Sequence, residues 1–190
     1  MTLDAGNQEF ATTSKMISKR LKDKIKKVRF LLLDVDGVLT DGRIIYDCRG
    51  HDSKFFDVHD GLGVYLLGRM GVKTILITAK GSKAIKPRAK DMRAEAVYEN
   101  ILPKTKVYDK VKIKYALKDE EICFVGDDLV DLCVLKRAGV PVATRNAAPE
   151  IKKAAIYVTK KDGGRGAVRE VAELILKSKG LWKKALEIYE

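Results

Sequence analysis

The sequence predicts an α/β fold built on a doubly wound, mainly parallel sheet, and three observations predict it. Short apolar runs rich in Val, Ile and Leu recur at residues 28–33, 72–77, 121–125 and 140–143. Segments with helical spacing separate them. A polar group follows each of the first three runs closely: Asp34 and Asp36, then Thr78, then Gly126-Asp127-Asp128. Continuous apolar runs of this length suit strands covered on both faces, as parallel strands are. Alternation of such strands with helices is the pattern of a doubly wound sheet, which binds ligands outside the carboxyl ends of its strands.

The helical segments place an apolar residue about once per turn: Leu62, Leu66 and Met70, then Ile85, Ala89 and Met92, then Val107, Val111 and Ala116, then Leu132, Leu135 and Ala138. One interruption follows the first strand. Residues 43–46 and 51–56 are strand-like and flank the turn-like tetrad Asp47-Cys48-Arg49-Gly50, which predicts a projecting β-hairpin. A weak strand at 157–159 leads to Gly163-Gly164-Arg165-Gly166 and then to a helix carrying Val168, Val171, Leu174 and Ile175.

At 190 residues and 46% apolar composition, the chain suits one buried core. The expected division is a basic lead-in at 1–27, a single domain at 28–180 and a C-terminal tail at 181–190. The net charge of +12 suits an anionic partner. Its densest run, Lys15 to Arg29, is offset only by Asp23 and is interrupted by no aromatic residue. A single-strand binder wants stacking rings among its charges and a duplex reader wants a recognisable motif, so a solvated basic lead-in is the better reading than a nucleic-acid surface. Cys48, Cys123 and Cys133 are odd in number and lack metal-ligand spacing, which points to reduced thiols in a cytoplasmic protein. No run approaches the ~20 apolar residues of a membrane span, and the first 14 residues lack the apolar core of a secretory signal.

Carboxylates gathered at one sheet edge repel one another, so their ionised forms call for a cation. An all-oxygen ligand set favours Mg²⁺, which also suits phosphoryl transfer. Asp34, first off its strand, is placed to attack phosphorus and form an acyl phosphate. Asp36, two residues on, is placed to protonate the leaving oxygen and then to activate water. Thr78 and Lys104 supply hydrogen bonds and charge to the phosphoryl oxygens. A calcium loop is excluded, because it needs Gly at its sixth position and Glu at its twelfth, whereas Gly37 is fourth here and Ile45 twelfth. For a lone Asp, helix or turn capping would be the better reading; acids at two strand ends together with Thr78 and Lys104 outweigh it.

In this order the residues resemble the haloacid dehalogenase superfamily, whose four motifs would be Asp34-Val35-Asp36-Gly37, Thr78, Lys104 and Gly126-Asp127-Asp128. Within it the chain is similar to the phosphatases of 3-deoxy-D-manno-octulosonate (KDO) 8-phosphate. The segments DVDGVLTDG from Asp34, FDVHDGLG from Phe56, VGDDLVD from Val125 and GGRGAVREV from Gly163 carry that resemblance. Only 44 positions separate Asp34 from Thr78 and 26 separate Thr78 from Lys104, too few for a folded lid, so the resemblance is to the capless subgroup.

The resemblance implies Mg²⁺ held by Asp34, Asp127 and the backbone carbonyl of Asp36, with Asp128 in support behind them. It places the sugar acid against Asp36, Asp57, Val58, His59, Asp60 and Gly61, with Lys80, Arg88 and Lys104 meeting its negative charges. It also implies a homotetramer in which the hairpin at 43–56 and the tail at 181–190 close a neighbour's site, and a role on the way to lipopolysaccharide. The chain departs from the pattern at Ala79 for glycine, His59 and Tyr65 for arginines, and Lys80 for an arginine, which loses a bidentate fork on a carboxylate. These departures leave a nine-carbon sugar-acid 9-phosphate open as substrate. A basic binding module on a phosphatase fold is the alternative from another class.

Overall fold

A computed structural model describes residues 18–190. Six strands form one parallel sheet: β1 (Phe30–Leu33), β4 (Lys73–Ile77), β5 (Ala96–Tyr98), β6 (Ile122–Gly126), β7 (Val140–Ala143) and β8 (Tyr157–Val158), in the order β5-β4-β1-β6-β7-β8. β1 lies at the centre, flanked by β4 and β6. The strand order therefore reverses beside β1, which makes its carboxyl end the expected ligand crevice.

Strand periodicity sorts the sheet into two cores. Leu31, Leu33, Leu76, Cys123, Val125 and Val142 pack on one face with Leu67 of α2 (Val58–Arg69) and Ile175 of α7 (Ala167–Ser178). Phe30, Leu32, Ile75, Ile77 and Phe124 pack on the other with Val111 of α4 (Thr105–Tyr115), Val134 of α5 (Leu132–Leu135) and Ile151 of α6 (Pro149–Ala154). Each β1 side chain alternates between them, so both faces are dry and the strand reads as an unbroken apolar run. α3 (Ile85–Asp91) joins the first core through Ile85 and Ala89.

Three elements were not read from the sequence. The edge strand β5 is short and half-buried, so its apolar signal is diluted. α6 has only six residues and starts on Pro149, a favoured first helical position. The lead-in forms α1 (Lys19–Lys26), capped by Ser18, whose hydroxyl accepts from Leu21 N at 3.2 Å. Its charges are exposed as expected, but Ile25 is wholly buried beside α7, which ties the helix to the domain. Residues 1–17 of the lead-in lie outside the described part. The tail is also partly anchored in its own chain: α8 (Trp182–Leu186) buries Ala185 in the first core.

The hairpin forms as expected from β2 (Ile45–Tyr46) and β3 (Asp52–Ser53), paired antiparallel. Asp47 builds its turn: Oδ1 accepts from the backbone N–H of Arg49 and of His51, both at 2.8 Å. Two-residue strands cannot stand alone, and lysines tie this hairpin to the sheet edge. Among the described residues no helix is long and apolar enough to cross a membrane.

Candidate active site

Asp34 leaves β1 at its carboxyl end and is 5% exposed. Its Oδ1 accepts from Val35 N at 2.7 Å and pairs with Lys104 Nζ at 2.8 Å. Lys104 precedes α4, has no exposed surface, and also donates to Asp131 Oδ1 at 2.6 Å. The other oxygen of Asp131 accepts from Asp127 N at 3.0 Å, so the same carboxylate holds the Asp127 backbone at the end of β6. Gly37 stands against Asp127 at φ +81°; a Cβ there would overlap the Asp127 carboxylate as well as strain the backbone.

Asp34, Asp127 and Asp131 each bring a carboxylate oxygen within 4.8 Å of the others. Burial, and then the charge of Asp131, pushes the Asp34 carboxyl up to about 7. Burial, then Asp34 and Asp131, pushes Asp127 up to about 8. Burial would lower the Lys104 ammonium, but Asp34 and Asp131 outweigh it and hold it above its ordinary value. One ammonium is thus set against three carboxylates, and the buried Asp127 Oδ1 has no hydrogen-bond partner. An all-oxygen set with two uncompensated negative charges and an orphaned acceptor fits a hard divalent cation.

Both carboxyl pKa values stand above the ordinary 3.8, so the folded state prefers these groups protonated. In metal-free protein their stability contribution is complete below about pH 4 and is lost as pH rises through 7 and then 8. Melting in EDTA across this range should therefore show Tm falling with pH. Mg²⁺ should raise Tm more at pH 8 than at pH 5, since protons compete for the same oxygens. An equal gain at both pH values would contradict the assignment.

Asp36 is half-buried, and its Oδ1 accepts from Lys54 Nζ at 2.5 Å. Lys54 is the residue of this site least visible in the sequence. A lysine in a hairpin reads as solvated, yet this side chain is 3% exposed and also pairs with Asp52 at 3.5 Å. The available signal was period two, because Asp52, Lys54 and Phe56 are partly buried while His51, Ser53 and Phe55 are exposed. Replacing Lys54 with Met should lower kcat by about 10²-fold through misplacement of Asp36, with Mg²⁺ affinity retained. Phosphate-release kinetics and a metal titration check this, and an unchanged kcat would remove Lys54 from the catalytic arrangement.

Thr78 follows β4 directly, at its carboxyl end as expected, and is buried, with its hydroxyl donating to Lys80 O at 2.9 Å. Lys80 Nζ donates to Tyr46 Oη at 2.5 Å, a second tie to the hairpin. Asp57 caps α2, accepting at Oδ1 from His59 N at 2.7 Å, and the exposed His59 ring folds back to the same oxygen at 3.0 Å. Val58 is exposed beside them. Arg88 Nη2 donates to Asp57 O at 2.7 Å, and its Nε is buried without a partner. Gly61 makes that reach possible, since a Cβ there would collide with the guanidinium.

Two expected positions differ. Asp60 is not brought to the crevice: it is wholly buried, and its Oδ1 accepts from Arg169 N at 2.7 Å in the first turn of α7. Burial pushes it up to about 6. Helix N-termini favour a carboxylate, which accounts for that placement. Asp128 is exposed and caps the turn after β6 through Leu129 N at 2.7 Å, so the buried carboxylate behind Asp34 and Asp127 is Asp131. Asp131 follows Asp127 by four residues, a spacing that one helical turn brings to the same side.

A buried Asp at the centre of a switch point, paired with a buried lysine and facing a second strand-end acid, defines a phosphoryl-transfer centre of the haloacid dehalogenase kind. A family model for haloacid dehalogenase-like hydrolases matches residues 88–171. The chain is 35% identical over 170 residues to the KDO 8-phosphate phosphatase KdsC of Escherichia coli K12, covering 90% of each chain. A crystal structure of the KDO 8-phosphate phosphatase of Moraxella catarrhalis with magnesium, phosphate and KDO is 32% identical, with TM-score 0.88 over 92% of this chain and 100% of that one. The cobalt-bound Haemophilus influenzae phosphatase is 29% identical, with TM-score 0.82 over 88% and 99%. The chain belongs to the KdsC family of KDO 8-phosphate phosphatases, within the haloacid dehalogenase-like hydrolases.

Proposed function

We propose that the chain hydrolyses KDO 8-phosphate to KDO and inorganic phosphate, using Mg²⁺ and an aspartyl-phosphate on Asp34, on the way to lipopolysaccharide. The observation that carries the reading is the buried Asp34–Lys104–Asp131 chain, bonded at 2.8 and 2.6 Å, beside the orphaned oxygen of Asp127. It is supported by the relatives' shared activity and by the magnesium, phosphate and KDO held by the Moraxella protein. Asp34, Asp127 and the Asp36 carbonyl would hold the cation, with Asp131 behind them; when bound, it neutralises the phosphoryl oxygens and orients the phosphorus for in-line attack.

With Oδ1 held by Val35 and Lys104, Asp34 attacks through Oδ2. An O–P bond forms as the ester P–O bond breaks, and the Asp36 carboxyl gives its proton to the departing sugar oxygen. The Asp36 carboxylate then takes a proton from water, which attacks the acyl phosphate and releases phosphate with Asp34 restored. Lys54 must yield part of its hold on Asp36 for that carboxyl to carry a proton. Thr78 and Lys104 meet the phosphoryl oxygens.

The sugar acid would lie between the hairpin and the start of α2, toward Lys80 and Arg88. Ile44, Tyr46, Phe55 and Val58 leave 54, 56, 70 and 73% of their surface exposed there. Apolar exposure on this scale supports a homotetramer in which a neighbouring copy covers the hairpin and completes the pocket. Three free cysteines and no membrane-spanning helix among the described residues are consistent with a cytoplasmic enzyme. Hydrolysis rates should be compared across eight- and nine-carbon 2-keto-3-deoxy sugar phosphates with Mg²⁺. Higher kcat/KM for KDO 8-phosphate is expected, and a preference for a nine-carbon compound would overturn the substrate.

A further inference from the structure

At the opposite end of β4 from Thr78, α2 and the segment entering β5 enclose a cavity of about 260 Å³, lined by Tyr65, Arg69, Lys73, Thr74, Arg93 and Glu95 among others. Thr74 and Thr78 are four residues apart on an extended strand, so the cavity lies roughly 13 Å or more from the phosphoryl site. Its charges are unbalanced. The guanidinium of Arg93 stacks 4.9 Å from the Tyr65 ring centroid and that of Arg69 lies 6.0 Å from the same centroid. Neither arginine pairs with a carboxylate among the described residues; Arg69 Nη1 donates to Tyr65 Oη at 3.1 Å. The one acid in the lining, Glu95, is already engaged by Lys73 at 3.1 Å and by the Tyr115 hydroxyl at 3.0 Å.

One further observation points to a ligand. Thr74 is 3% exposed and lines the cavity, and its hydroxyl has no hydrogen-bond partner. Arg93 is the left-handed residue that ends α3, at φ +56°, with its N–H bonded to Lys90 O and the N–H of Ala94 to Ala89 O, and its side chain is carried from there onto the Tyr65 ring. Two exposed forks of N–H donors gathered on one ring, with no carboxylate to answer them, match a tetrahedral oxyanion. We propose that this cavity is a second anion site that takes a phosphate group, as inorganic phosphate or as a small phosphate monoester.

The catalytic centre can be kept out of the measurement. In EDTA the catalytic centre lacks the cation that would draw phosphate to it, whereas the cavity around Tyr65 needs no metal. Calorimetric titration of inorganic phosphate, and separately of glucose 6-phosphate, into the metal-free protein should show one site with millimolar affinity or better. Arg69→Gln combined with Arg93→Gln should weaken it at least about tenfold while Mg²⁺-dependent kcat is kept, and Tyr65→Phe should weaken it less. Should the double variant melt early, Arg93→Gly, which relieves the left-handed strain, gives the same reading with the fold secured. Equal affinity for both probes identifies the phosphate group alone as the ligand, and tighter binding of the sugar phosphate identifies a monoester. Absence of binding by both, or binding that survives loss of the arginines, overturns the proposal.

Discussion

Replacing Asp34 with asparagine is expected to abolish phosphate release, by at least about 10⁴-fold in kcat, while leaving the fold intact. The amide has the same shape and can still accept from Val35 N and Lys104 Nζ, the two bonds that hold Asp34 Oδ1. What it lacks is the oxygen that the proposed mechanism uses as nucleophile, so on that mechanism no acyl phosphate forms for Asp36 to hydrolyse. Stability separates this reading from a merely structural one. The wild-type carboxyl is pushed up to about 7, so at pH 8 without metal its ionised form costs folding free energy that the neutral amide does not. Metal-free Asp34→Asn should melt at or above the wild-type temperature at pH 8 and close to it at pH 5. Residual turnover within tenfold of wild type would remove Asp34 as the nucleophile, and a lower Tm at pH 8 would show that its charge stabilises the fold.

The parts of this centre differ in how openly the sequence shows them. Asp34, Thr78 and Asp127 were legible because each follows a strand that reads as an apolar run, and the doubly wound topology puts all such ends on one edge. Lys104 lies outside any strand, so it was found only by the chemistry the phosphoryl oxygens require. Its complete burial was not legible, because a lysine is buried only when paired and the pairing with Asp131 is a tertiary fact. Asp60 shows the opposite failure. It stands in a segment that the family places at the sugar acid, yet the nearby start of α7 offers its carboxylate backbone N–H groups, and that local partner wins. In the fold, the continuous apolar strands were plain, whereas the three-residue edge strand β5 and the six-residue α6 carried too few residues for any period to register. Lys54 was hidden for a related reason: the hairpin's strands are two residues each, and an inner face shows only when the sheet edge beneath it is in place.

Lys104→Met should produce the largest combined loss, in stability as well as rate. The lysine is wholly buried between Asp34 at 2.8 Å and Asp131 at 2.6 Å, and methionine keeps much of the volume while removing the charge. Removing one member of a buried ionic network leaves its partners uncompensated, at a cost of about 3–5 kcal/mol. For a chain of this size that corresponds to a Tm lower by roughly 10 °C. The loss has a definite pH dependence. Burial and neighbouring acids, Asp131 above all for Asp34, already raise Asp34 and Asp127, and without Lys104 both rise further, so protonation relieves the variant as pH falls. The Tm gap to wild type should be widest near pH 8 and narrow toward pH 5. Mg²⁺ should recover part of it at pH 8 by supplying positive charge to the same oxygens. Activity should not return with stability, because on the proposed mechanism the phosphoryl oxygens lose a fixed donor worth about 10²–10³ in rate. A pH-independent Tm gap would show that Lys104 acts there by packing alone, and recovery of turnover with Mg²⁺ would show that its ammonium never meets the substrate.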